Sequence, residues 1–179
     1  MKATGIIRKI DDLGRIVIPK EMRKTLRIRE GDSLEIYVER NGEIILKRYA
    51  PLGEIIDEIN IYAEVLYKST GFNVCITDNK EVIAMSGASK RKYIDNKLSD
   101  DLIYILEMRE VYINKGEKSV KITEKEDLPY LTQIIAPIIA DADLIGSIIF
   151  FSDEAKKTIN EVDLAQIKTA VEFLAKQME

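Results

Sequence analysis

The sequence predicts a two-domain α+β chain: a strand-and-turn module over residues 1–50, then a mixed sheet flanked by helices over residues 51–179. Three observations carry that reading. Short β-branched runs and turn signals crowd the first fifty residues, apolar stripes at helical spacing open and close the remainder, and the charge is split between the two parts. Of the 179 residues, 46% are apolar and 32% charged, enough for a buried core and a wetted surface. The net charge of −4 hides opposed halves, with twelve Lys or Arg against eight acids in residues 1–50 and a balance of −8 in residues 51–179. Within residues 1–29, nine basic residues face three acidic ones. A basic module on an acidic body points to a polyanion partner for the first part alone.

What is missing bounds the chemistry. The chain has no histidine, which removes Ser-His and Cys-His nucleophile pairs, imidazole proton shuttling and most zinc sites. One cysteine, Cys75, forms no internal disulfide, so a reducing cytoplasm is expected. Arg8 and Lys9 follow Ile6 and Ile7 at once, which is not a secretory pattern, and the longest apolar run (residues 134–140) is far short of the ~18 residues of a membrane span. No phosphate-cradling loop or nucleophile–base pair stands out. The expectation is a protein with no catalytic residues, no metal and no cofactor.

Residues 3–10 read as a strand, Asp11-Asp12-Leu13-Gly14 as a turn, and residues 15–18 as a second strand stopped by Pro19. That proline suits the start of a short helix over residues 19–26. Gly31-Asp32 turns the chain again. Leu34, Ile36 and Val38 then alternate with Glu35, Tyr37 and Glu39, the signature of a half-buried strand, and Asn41-Gly42 returns it as a hairpin over residues 43–48. Fifty residues bury too little surface to be comfortable alone. With no disulfide or metal to staple them, two copies completing one barrel is the expected solution.

Gly5-Ile6-Ile7-Arg8-Lys9-Ile10-Asp11-Asp12-Leu13-Gly14-Arg15-Ile16-Val17-Ile18-Pro19, followed by Glu21-Met22-Arg23-Lys24-Thr25-Leu26, resembles the AbrB family of transition-state regulators, and residues 34–38 and 44–47 continue the pattern. The resemblance implies a swapped-hairpin barrel, in which two chains interlace to make one surface for double-stranded DNA. It places the DNA contacts on Arg8, Arg15, Arg23 and Lys24, with Lys9 joining by adjacency. Lys24 stands where the family pattern has arginine, so it keeps the phosphate attraction and loses the bidentate fork. A helix over residues 19–26 is too short to lie along the major groove as a reader. Paired sets of these cations would neutralise about 6–8 phosphates, giving a log–log salt slope of about −5 to −7, with specificity drawn largely from DNA shape at a two-fold symmetric site. The implied function is a nucleoid-associated transcriptional regulator of a spore-forming bacterium, as activator or repressor.

In residues 51–179, Leu52, Ile55, Ile59, Tyr62 and Leu66 recur at helical spacing up to Gly71. Strands are expected over 72–77, 82–86, 111–113, 119–122, 130–139 and 144–151. Ser99 caps a helix with Asp100 and Asp101 in its first turn, and Thr158-Ile159-Asn160-Glu161 reads as a capping box opening the last one. That helix repeats the stripe with Leu164, Ile167, Val171, Leu174 and Met178. Either the two stripes cover their own sheet, or they pair between protomers as a four-helix bundle; the second reading makes them oligomerisation residues and the assembly a tetramer. The element order resembles a GAF-like domain, which implies sensing of a small-molecule effector. The Asn-Lys-Phe-Asp-Glu run of cyclic-nucleotide-binding members is absent, and no ligand is named. Residues 86–92 combine small residues with three cations, a composition suited to an anionic ligand and equally to plain solvent exposure. Asp141 and Asp143 read as a turn. An antitoxin-type module that binds a protein partner is the alternative function, but such proteins carry a disordered tail. The apolar periodicity of residues 52–178 predicts a folded domain instead, joined through a stiff Tyr49-Ala50-Pro51 connection.

Overall fold

The computed structural model describes residues 6–26, 28, 30, 33–114, 119–126, 130–154 and 156–178. It divides into two compact units, Met1–Tyr49 and Ala50–Glu179.

The first unit holds helix α1 (Lys20–Thr25) and a hairpin of β1 (Leu34–Val38) and β2 (Ile44–Arg48). The turn before α1 is built by Asp11. Its Oδ1 accepts from the N–H groups of Leu13 and Arg15 at 3.1 and 2.7 Å, and Gly14, at φ +77°, donates to the Asp11 carbonyl at 3.0 Å. Pro19 caps α1, its carbonyl accepting from Arg23 N–H at 2.9 Å. β1 and β2 pair antiparallel from Leu34↔Arg48 to Val38↔Ile44 around Asn41-Gly42.

Two expectations fail here for one reason. Residues 6–10 and 15–18 carry no ladder, and the predicted alternation of β1 buries nothing, with Ile36 and Val38 65% and 74% exposed. Ile7 and Val17 are likewise bare. A strand needs a partner backbone and an apolar face needs a second layer; two strands and one helical turn of a single chain supply neither. Residues 3–5 of the first expected strand, and the expected turn at Gly31-Asp32, lie outside the described residues.

The second unit is a three-layer sandwich. Its sheet runs β4 (Val82–Ser86), β3 (Asn73–Thr77), β7 (Asp143–Ser152), β6 (Thr132–Ala140), β5 (Tyr112–Asn114), with every ladder antiparallel. A lone parallel bridge joins Val82 to Ile94. Strand alternation sorts the core into two. Val74, Ile76, Ile134, Ala136, Ile148 and Phe150 meet α2 (Pro51–Glu54), α3 (Ile56–Thr70) and α6 (Glu161–Gln177) on one side. Cys75, Ile135, Ile149 and Phe151 meet α4 (Lys90–Tyr93), α5 (Asp100–Glu107) and the loop around Val120 and Ile122 on the other.

Local chemistry sets the element ends. Gly71 terminates α3 in the left-handed conformation, and Lys157 Nζ donates to the Thr70 carbonyl at 2.5 Å while standing 4.5 Å from the centre of the Phe72 ring. Ser99 caps α5 by accepting from Leu102 N–H at 3.1 Å. The box opening α6 falls two residues later than predicted, on Asn160 and Asp163, because Asp163 rather than Glu161 reaches back to the cap N–H. Residues 119–122 are not a strand. Val120 instead exchanges both backbone hydrogen bonds with the buried Gln133 side chain, at 2.9 and 2.8 Å, so an amide stands in for a neighbouring strand. Gly146 sits where β7 passes between β3 and β6, and a Cβ there would lie 2.1 Å from the Thr77 carbonyl oxygen.

Candidate functional site

The five expected DNA-contacting residues lie on the turn and on α1. Arg8 and Lys9 are exposed ahead of the Asp11 turn and Arg15 is exposed behind it. Arg15 is restrained: its backbone carbonyl accepts from Asp11 N–H at 3.0 Å and its Nε donates to Asp11 Oδ2 at 2.8 Å. These bonds hold the Asp11 carboxyl below its ordinary range, the Arg15 backbone N–H contributing most. Arg23 and Lys24 occupy the last turn of α1. Arg23 is half-buried with its Nε lacking a partner, and among the described residues Arg8, Lys9, Arg23 and Lys24 pair with no carboxylate. Arg15 is thus the oriented member of the set.

The nine expected oligomerisation residues face inward. Leu52, Ile59 and Ile167 are fully buried, Leu66 and Leu174 nearly so, and Ile55, Leu164, Val171 and Met178 pack partly buried against the same core. The five buried side chains cover their own sheet, the first of the two arrangements expected for the stripes, and the four partly buried ones edge the same core. Outside those buried stripes lie other apolar groups: Ile61 and Val65 on the far side of α3, and Val162 and Phe173 on the flank of α6, 65%, 53%, 65% and 50% exposed. Tyr62 and Phe173 join the two helices there, ring centres 5.3 Å apart.

A cavity of about 590 Å³ opens in the second unit, lined by Arg91, Lys92, Tyr93, Asn96, Lys125, Glu126 and Tyr130. The Tyr93 and Tyr130 hydroxyls lie 3.2 Å apart, and Lys125 Nζ donates to Asn96 Oδ1 at 2.9 Å, tying the two walls. Glu126 Oε2 accepts from Ile122 N–H at 2.7 Å and Thr123 N–H at 3.4 Å. Its Oε1 is buried with no hydrogen-bond partner among the described residues. Burial pushes the Tyr93 phenol up to about 12 and Tyr130 up further, with the charge and the side-chain hydrogen bonding of Glu126 adding to both. Burial also pushes the Cys75 thiol well up, which makes it inert as a nucleophile. Of the lining residues, sequence reasoning touched Arg91 and Lys92, through the composition of residues 86–92. Tyr93 and Asn96 follow them directly, whereas Lys125, Glu126 and Tyr130 come from a segment roughly thirty positions on, with no spacing signal to join the two.

Comparison with known proteins agrees with both units. Residues 54–179 match the family described as stage V sporulation protein T C-terminal, transcription factor, and residues 7–53 match the family described as antidote-toxin recognition MazE, bacterial antitoxin. The chain is 46% identical over 179 residues to stage V sporulation protein T of Bacillus subtilis (strain 168), covering 100% of this chain and 99% of that protein. It is 43% identical over 90 residues to the transition state regulatory protein AbrB of the same organism, covering 50% of this chain and 84% of that one. The GAF domain of the nutrient sensor CodY from Clostridium difficile superposes with a TM-score of 0.55 at 17% identity, over 89% of this chain and 94% of that one, a likeness of fold alone. An AbrB-like module followed by a GAF-like domain, matched across its full length, places the chain in the stage V sporulation protein T family of transcription factors.

Proposed function

We propose that the chain regulates sporulation genes in the cytoplasm by binding double-stranded DNA through a dimer of its first unit. Arg8, Lys9, Arg15, Arg23 and Lys24 of both copies form the contact surface. One observation carries this reading: the basic residues stand on a unit that leaves Ile7, Val17, Ile36 and Val38 exposed, so the cations and the demand for a second copy coincide. Interlaced hairpins would give residues 6–10 and 15–18 the partner backbone they lack. The second unit joins dimers into a tetramer through Ile61, Val65, Val162 and Phe173, and senses an effector.

The test is anisotropy of labelled duplex DNA against a salt series, for the full chain and for residues 1–50. The expected log–log slope is about −5 to −7. A slope near −1, or binding no better than that of any basic protein, overturns the reading. The antitoxin alternative draws on the match of residues 7–53, but residues beyond 50 fold into a unit with two cores rather than a tail that wraps a toxin. Co-purification with a small toxic partner, together with loss of salt-dependent DNA binding, would favour that alternative.

A further inference from the structure

The cavity between α4 and the loop ahead of β6 holds opposite charges set in different surroundings. Arg91, Lys92 and Lys125 are exposed on its walls, whereas Glu126 is half-buried and its Oε1 is buried with its acceptor capacity unused among the described residues. Lys125 is already engaged with Asn96, which leaves Arg91 and Lys92 as the cations open to a ligand. Tyr93 and Tyr130 use one of their two phenol protons on each other, so their oxygens keep accepting capacity beside the carboxylate. The phenol proton left over is a neutral donor beside Glu126, and a cationic donor would satisfy this buried carboxylate oxygen better. A simple anion would suit Arg91 and Lys92 but bring a second negative charge towards Glu126. A simple amine would suit Glu126 and leave the two cations facing each other.

We propose that this cavity binds a small amino-carboxylate, in the simplest case an L-α-amino acid, with its ammonium group on Glu126 Oε1 and the Tyr93–Tyr130 hydroxyls and its carboxylate on Arg91 and Lys92. The volume of about 590 Å³ lies within the ~300–1,000 Å³ usual for small-molecule pockets. Arg91 supplies the planar fork that matches a carboxylate. The inference deepens the effector-sensing part of the proposed function, and its test leaves DNA out so that the two fail separately.

The experiment is calorimetric titration of the full chain with each standard L-amino acid in turn. For the best binder, the same titration follows with its desamino acid and its decarboxylated amine. At least one amino acid is expected to bind at one site per chain with Kd at or below about 1 mM, and both truncated analogues at least about tenfold more weakly. Glu126→Gln keeps an acceptor for the Ile122 and Thr123 N–H groups and is expected to lose about tenfold in affinity. Arg91→Ala, at an exposed position that leaves the core untouched, is expected to lose a similar factor with an unchanged Tm. No binding by any amino acid at that concentration overturns the proposal. So does a desamino acid that binds equally well, or unaltered affinity in both variants. Loss of amino-acid binding alongside a steep DNA salt slope would count against this site alone.

Discussion

Arg15 and Asp11 grip each other twice across one turn, Arg15 Nε to Asp11 Oδ2 at 2.8 Å and Arg15 N–H to Asp11 Oδ1 at 2.7 Å. The second bond shapes the backbone, while the first spends part of a cation that the proposed DNA surface would use. The pair is solvent-exposed and screened, so releasing Arg15 costs little. Asp11→Asn keeps an acceptor for the turn and removes the charge. Tighter binding to random duplex at low salt is expected, with a slope steeper by up to about 0.9 per protomer and poorer discrimination for a selected site. Anisotropy on the two duplexes checks it. Because the Asp11 carboxyl is held below its ordinary range, the grip is complete above that range and lost as pH falls through the lowered value.

Alkaline pH loosens the second unit through its phenol pair. The Tyr93 pKa rises to about 12 in the fold, so an unfolded chain gives up this proton near pH 10 while the folded chain keeps it. Stability is therefore complete below pH ~10 and falls as pH rises towards 12. Tyr93→Phe should flatten that fall. Denaturant midpoints at a series of pH values measure the difference.

Gly146→Ala puts a methyl group against the Thr77 carbonyl oxygen and the Leu52 side chain. Backbone cannot yield as a flexible side chain would. A loss at or above the upper end of ~1–3 kcal/mol is expected, which is roughly a 10 °C drop in the Tm of the second unit. Thermal unfolding followed by circular dichroism checks it.

The two faces of α3 and α6 separate folding from assembly. Ile59→Ala or Leu174→Ala empties the core and should cost about 2–5 kcal/mol. Ile61→Asp with Phe173→Ala should leave the Tm within a few degrees and convert tetramer to dimer by sedimentation. A tetramer that survives both outer substitutions would overturn the assignment of that face.

Much of the second unit was legible because its periodicity is satisfied within the chain. The stripe from Leu52 to Leu66 reads as one helix and is two, α2 and α3 broken at Ile55, while that from Leu164 to Met178 is α6 with Met178 as its cap; spacing alone does not say whether a stripe meets its own sheet or a neighbour's. Val120 misled for a different reason: a β-branched run looks like a strand whether its partner is a backbone or the amide of Gln133. The first unit was legible through its turns, at Asp11–Gly14 and Asn41-Gly42, whose residue chemistry is local. The strands expected over 3–10 and 15–18 were not: residues 6–10 and 15–18 carry no ladder in one chain, and the proposed second copy would supply the backbone they lack. The cavity was least legible, as Tyr93 and Tyr130 meet only after the sheet has formed.

Ile36 and Val38 lie bare on a hairpin, whereas the second unit closes two cores unaided. With that hairpin completed by a second copy, recognition becomes a function of gene dosage. Where pairs are the minority, halving the amount of protein removes about three quarters of the pairs by mass action. A lone chain would then persist as a folded second unit beside an incomplete first one.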